Sequence, residues 1–223
     1  MSDAFGWKYM GLVLQRHDDQ GPANDAEVAE WLGAAAHGDQ EAWRRLVECY
    51  SRRVYALARS RLRSPELAEE ITQSVFATVA AKLCGGEYSE QGRFESWLFR
   101  VGMNRVRDEV RRSARQAATA DPETFSGIAS REPAEAKASL QDLAAMRLAI
   151  ERLTESEQET IHLRHHAGLS FKQISDLMEE PLGTVLARHH RALRKLRTML
   201  TNTTDEQALS ADGADGRDGS MDR

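Results

Sequence analysis

Two helix starts are written into this chain only sixteen residues apart: Thr154 is followed three places on by Glu157, and Ser170 by Gln173. In this pattern the hydroxyl caps the first turn and the third side chain reaches back to the cap, so each box marks where a helix must begin. The helix opened at Thr154 has to close near Ala167-Gly168, because glycine suits the residue just past a helix end. The helix opened at Ser170 is stopped by Glu179-Glu180-Pro181, and a longer one runs from about Leu182 to Met199. A short helix, a tight turn and a longer helix make a helix-turn-helix. Leu169, Ile174 and Leu177 face inward on the short helix, and Leu182, Val185, His189, Leu193 and Leu196 line the inner face of the long one.

The outer face of that last helix carries Arg188, Arg191 and Lys195, with Arg194 and Arg197 nearby. Between Leu182 and Leu200 there are five basic residues and no acidic one. A helix of this kind can enter the major groove, its first turns reading base edges while its cations pair with phosphates. A basic helix by itself is more often a solvated face. It is the two caps, the turn and the apolar stripe together that point to DNA.

Upstream, the same helical period recurs without any alternating Val/Ile/Thr run. Asp39 is the N-cap of a stripe containing Leu46, Tyr50, Val54, Leu57 and Ala58. Ser64-Pro65 opens the next helix, from about Glu66 to Lys82, with Leu67, Ile71, Val75 and Val79 four apart, and Gly85-Gly86 ends it. Phe94 to Arg115 reads as one long helix with Phe94, Trp97, Leu98 and Val101 on its apolar side. The chain is rich in strong helix formers and has only five prolines. The expectation is an all-α fold of two small helical domains joined by a flexible linker. Residues 1–25 form a disordered extension, 26–115 the first domain, 116–138 the linker, 139–200 the second domain, and 201–223 a disordered tail with six acidic and two basic residues.

The net charge of −5 argues against nucleic acid only as an average, because the cations are concentrated. Arg93 to Arg115 holds seven arginines and three acids. Arg105, Arg107, Arg111 and Arg112 are candidates for phosphate contact. Asn104 can read a base edge or cap its own helix. Trp97 and Phe94 read as core packing before base stacking. Glu69, Glu70 and Gln73 can meet a basic partner, or simply place acids near a helix N-terminus.

No G-x-S-x-G, phosphate-binding glycine loop or H-E-x-x-H is present, so no catalysis and no cofactor are expected. His162 and His166 are four apart but lack a third ligand, and His189-His190 diverge, so no metal is expected either. Cys49 and Cys84 have no CxxC partner. Without an apolar run of about 20 residues or a secretory start, the reading is a cytoplasmic protein with no membrane insertion.

Leu169-Ser170-Phe171-Lys172-Gln173-Ile174-Ser175, then Pro181-Leu182-Gly183-Thr184-Val185 and Arg188-His189-His190-Arg191-Ala192-Leu193-Arg194-Lys195-Leu196, resemble region 4 of the extracytoplasmic-function (ECF) subfamily of sigma-70 factors. Leu186-Ala187 depart from the Lys-Ser usual there. Gly38-Asp39-Gln40-Glu41-Ala42-Trp43, the run from Ala68 to Phe76, and Phe94 to Val101 with Asn104, Asp108, Arg111 and Arg112 resemble region 2.

The resemblance implies a sigma factor that directs RNA polymerase to promoters. Its partners would be the core enzyme (β′ clamp and β flap) and promoter DNA, and many relatives also take an anti-sigma factor. Glu69, Glu70, Gln73 and Phe76 would bind the polymerase. Asn104, Arg105, Arg107, Asp108, Arg111 and Arg112 would meet the -10 element. Ser170, Lys172, Thr184, Arg188, Arg191 and Lys195 would meet the -35 element. The linker would let the domains span a promoter and pack together in the free protein. The alternative is a helix-turn-helix regulator that does not bind core polymerase.

Overall fold

The computed structural model describes residues 25–62, 64–89, 92–119 and 134–212. The expected N-terminal extension, the middle of the linker (120–133) and the end of the tail (213–223) lie outside the described residues. Within them the chain forms eight helices and no strand. The first four are α1 (Asp25–Ala36), α2 (Gln40–Arg61), α3 (Pro65–Cys84) and α4 (Phe94–Thr119). The second four are α5 (Ala134–Glu151), α6 (Glu155–His165), α7 (Phe171–Met178) and α8 (Leu182–Asp212).

The local signals act where the sequence puts them. The Asp39 carboxylate accepts from the backbone N–H of Glu41 at 2.8 Å and of Ala42 at 3.3 Å, starting α2. Ser64 accepts from Leu67 N–H at the start of α3, with Pro65 in its first turn. Both capping boxes close in both directions: Thr154 with Glu157, and Ser170 with Gln173. Gly168, with φ of 71°, turns the chain from α6 towards α7. Glu179 takes the left-handed conformation at φ 57° between α7 and α8, where an L side chain costs about 1 kcal/mol.

Three helices run past their expected limits. α4 continues to Thr119, α5 begins at Ala134, and α8 extends to Asp212 instead of giving way to a disordered tail at residue 201. The reason is that extending an existing helix requires no new nucleus. After Arg115 nothing opposes the helix before Asp121-Pro122, and after Leu200 no glycine or proline occurs until Gly213. Pro133 sits immediately before α5, compatible with a helix start and not with a helix interior.

α2, α3 and α4 pack around Leu46, Tyr50, Val54, Leu57, Val75, Val79, Leu98 and Phe99, joined by Val28 and Leu32 of α1. Ala58, Leu62, Ala68 and Val106 seal the far end of this bundle. In the second half, Ala149, Leu153, Ile161, Ala192 and Leu196 tie α5, α6 and α8. The two halves are not separated. Leu163, Ala167, Leu169, Ile174, Leu177 and Val185 belong to the same apolar cluster as Phe99 and Met103 of α4. Polar groups stitch the same seam. Arg53 donates to the Ala167 carbonyl at 2.7 Å and to Glu95 at 2.6 Å, and Gln173 donates to the other Glu95 oxygen at 2.6 Å. Arg61 donates to Gln158 at 2.8 Å, and Arg100 to Glu179 at 2.9 Å. The two domains therefore close on one another.

Candidate nucleic-acid interface

α3 presents Glu69, Glu70 and Gln73 to solvent. Phe76, expected beside them on a partner face, is instead 8% exposed, with its ring edge-on to Trp43 at 6.2 Å between centroids. α3 packs against α1, α2 and α4, so it buries a wider arc than a helix with one neighbour. That arc takes in Phe76 as well as Val75 and Val79.

Asn104, Arg105, Asp108, Arg111 and Arg112 are exposed on α4. A groove of about 320 Å³ between α3 and α4 brings Glu70 and Ser74 together with Arg105, Asp108, Glu109 and Arg112. Arg105 is braced across it by Thr78 Oγ1 at 3.2 Å. Arg107 faces the other way. Its Nε and Nη2 donate to the two carboxylate oxygens of Glu159 on α6 at 2.5 and 2.7 Å, and its Nη1 donates to the Asn104 side-chain oxygen at 3.2 Å. The Glu159 hydrogen bonds outweigh partial burial and raise the guanidinium pKa further. Asn104 thus braces Arg107.

Ahead of α4, Tyr88 stacks obliquely on Trp97 with centroids 4.4 Å apart, and Phe94 and Tyr50 extend the aromatic group. Phe94 is core, whereas Trp97 is half-buried at the edge of the core.

On the helix-turn-helix, Ser170, Lys172, Thr184, Arg191 and Lys195 are exposed. Two of the expected DNA cations are already engaged. Arg188 is only 12% exposed, paired with Glu180 at 2.6 Å and leaning on the Met178 sulfur at 3.7 Å. Lys195 Nζ donates to both oxygens of Glu157, at 2.8 and 2.9 Å. Burial would raise the Glu157 carboxyl, but the bonds from Lys195 and Thr154 hold it below its ordinary value. The helical period explains both. At 100° per residue from Val185 and His189 on the inner face, Arg188 and Lys195 fall on one flank of α8, beside carboxylates of their own domain. The crest falls on Gly183, Ala187, Arg191 and Arg194, all exposed. Arg194, counted in the sequence only as lying near the outer face, sits on the crest itself, with the small residues Gly183 and Ala187 before it. Leu182, expected to face inward, is 45% exposed. It is the first residue of α8, and the end of that helix is uncovered.

The histidines pair without gathering. His165 and His189 approach to 3.0 Å between Nε2 atoms, and His162 and His166 to 3.4 Å between Nδ1 atoms. Burial lowers the His189 imidazole to about 4 and takes His162 well below its usual value. Among the described residues, no three metal-ligating side chains come together.

Comparison with known proteins joins these surfaces. Residues 46–116 match the family described as Sigma-70 region 2, and residues 149–198 that described as Sigma-70, region 4. The chain is 32% identical over 180 residues to the ECF RNA polymerase sigma factor SigE of Mycolicibacterium smegmatis, covering 78% of this chain and 69% of that one. It is 31% identical over 183 residues to the ECF RNA polymerase sigma factor SigK of Mycolicibacterium vanbaalenii, covering 80% and 92%. In fold it resembles CnrH, solved in complex with the cytosolic domain of CnrY, with a TM-score of 0.59, 23% identity, and coverage of 80% of this chain and 97% of that one. No helix among the described residues is long and apolar enough to cross a membrane. With region 2 on α2–α4, region 4 on α5–α8, and relatives above 30% identity along most of its length, the chain belongs to the ECF RNA polymerase sigma factors.

Proposed function

We propose that this sigma factor divides its work among three surfaces. The exposed Glu69, Glu70 and Gln73 of α3 dock on core polymerase. The α3–α4 groove, with Arg105, Asp108 and Arg112, takes the -10 element together with Arg111 beside it on α4. The crest of α8, with Arg191 and Arg194, takes the -35 element, aided by Ser170, Lys172 and Thr184. The observation that carries this reading is the pairing, in one chain, of an arginine-lined groove with a helix-turn-helix whose outward crest is basic. The domain limits at about residues 26–115 and 139–200 are part of the proposal, as is action in the cytoplasm on the chromosome.

The closed form has a role in it. Arg107 cannot reach DNA while Glu159 holds it, and α7 covers Ser96 and Phe99 of α4. Binding to core polymerase has to separate the halves before both elements are read. CnrH was solved with CnrY. A partner of that kind for this chain would compete with polymerase for the α3 face.

The test is in vitro transcription with core polymerase, with and without this protein, on pooled genomic fragments of its host. Discrete new start sites sharing two upstream motifs are expected. Failure to bind core polymerase would leave a helix-turn-helix regulator as the better reading.

A further inference from the structure

The two capping boxes end in different side chains. A carboxylate or an amide closes such a box equally, because each offers an oxygen to the N–H of the cap. In the first box the side chain is Glu157. It accepts from Thr154 N–H at 3.0 Å and also from Lys195 at 2.8 and 2.9 Å. In the second it is Gln173. Its Oε1 accepts from Ser170 N–H at 2.8 Å, while its Nε2 donates to Glu95 on α4 at 2.6 Å. The two residues share one local task and differ in what they meet beyond their own helix: a cation at Glu157, an anion at Gln173. A glutamate at position 173 would cap α7 as well, but it has no hydrogen to give to Glu95.

Glu95 is buried in the first turn of α4, on the seam between the halves. One of its oxygens takes Arg53 Nη1 at 2.6 Å and the other takes Gln173. The Arg53 guanidinium is itself fixed, 5.0 Å from the centroid of the Phe99 ring and 5.7 Å from that of Tyr50. Arg53 and Glu95 both belong to the first half, so their pair persists when the halves part. Gln173 leaves with the second half.

Resting on the reading that core polymerase separates the halves, we propose that the amide of Gln173 is the latch that sets how readily they open. Its other end is held by the capping box, so the amide is already oriented and loses little freedom on closing. A carboxylate is the stronger kind of acceptor for it. On opening, Glu95 exchanges this donor for water while α7 keeps its cap, so the helix-turn-helix is released intact. A carboxylate in place of the amide would set two like charges within hydrogen-bond distance and oppose closure.

The test is Gln173→Glu in the full chain, which keeps the box and changes only what Glu95 meets. The open form is expected to gain about tenfold over the closed one, the scale of losing a hydrogen bond to a charged group. The radius of gyration by small-angle scattering should then rise at unchanged helical circular dichroism. Purified core polymerase should bind several-fold more tightly, because less of the chain waits in the closed form. Combining Glu95→Gln with Gln173→Glu restores one amide and one carboxylate with their places exchanged, and leaves Arg53 an oxygen at position 95. This double variant should return both quantities towards the parent values. A radius and core affinity equal to the parent's in Gln173→Glu would overturn the inference, as would a double variant that restores neither. Expansion with loss of helical signal would make Gln173 a residue of the α7 fold alone and would overturn it too. If none of these proteins binds core polymerase, the sigma reading falls instead, and the radii still decide whether Gln173 is the latch.

Discussion

His189 sits buried on the inner face of α8, where its Nε2 meets His165 Nε2 at 3.0 Å. Its ring packs edge-on to Phe171 with centroids 5.0 Å apart, and the Arg164 guanidinium lies over that phenyl ring, 4.9 Å from its centroid. Burial, reinforced by the neighbouring His190, keeps it neutral down to about pH 4, whereas an unfolded histidine takes its proton near 6.5. The unfolded chain therefore binds the extra proton as the pH falls, so stability present above about 6.5 is lost progressively towards 4. Buried His162 acts in the same direction. The melting temperature should drop between pH 7 and pH 5, and His189→Leu should drop less over that interval; equal slopes would remove His189 from the account. The inward side of His189 was legible from its place in a stripe with Val185 and Leu196, because period alone sets a side chain's direction. The burial of Phe76 was not, because it depends on how many neighbours α3 has.

At the scale of elements, the helices are set by their caps. Ser170→Ala removes the hydroxyl that accepts from Gln173 N–H at 3.2 Å, and should cost about 1 kcal/mol of unfolding free energy in a denaturant titration. Gln173→Ala should cost more. It removes the bond to the Ser170 N–H at 2.8 Å and also leaves buried Glu95 without its donor from α7, and a buried charge that loses a partner is costly. A smaller effect for Gln173→Ala than for Ser170→Ala would show that the bond across the seam contributes nothing. Helix starts were readable because cap and box lie within four residues of one another. Helix ends at Thr119 and Asp212 were not, since an end depends on when a breaker arrives rather than on a positive signal.

For the whole molecule, the seam between the halves joins a basic face of the first (Arg53, Arg61, Arg100, Arg107) to a polar and acidic face of the second (Gln158, Glu159, Gln173, Glu179). Glu159 is 4% exposed and paired, and removing one member of a buried pair is far more disruptive than removing both. Glu159→Gln should therefore loosen closure. The expected results are a larger radius of gyration by small-angle scattering and faster proteolysis between residues 119 and 134. An unchanged radius would show that the apolar cluster shared by the two halves, with Phe99 and Met103 on one side and Ile174 and Leu177 on the other, holds them without the ion pair. Capping boxes, apolar stripes and concentrated arginines determined the all-α fold, the helix-turn-helix and the presence of two cationic stretches, because each is encoded within one or two turns of helix. Which of those cations remain open was decided only in three dimensions. Arg107 meets Glu159 across 52 positions of sequence, and Lys195 meets Glu157 across 38. No local pattern records such a meeting, since the attraction between two charges depends on the distance that packing leaves between them.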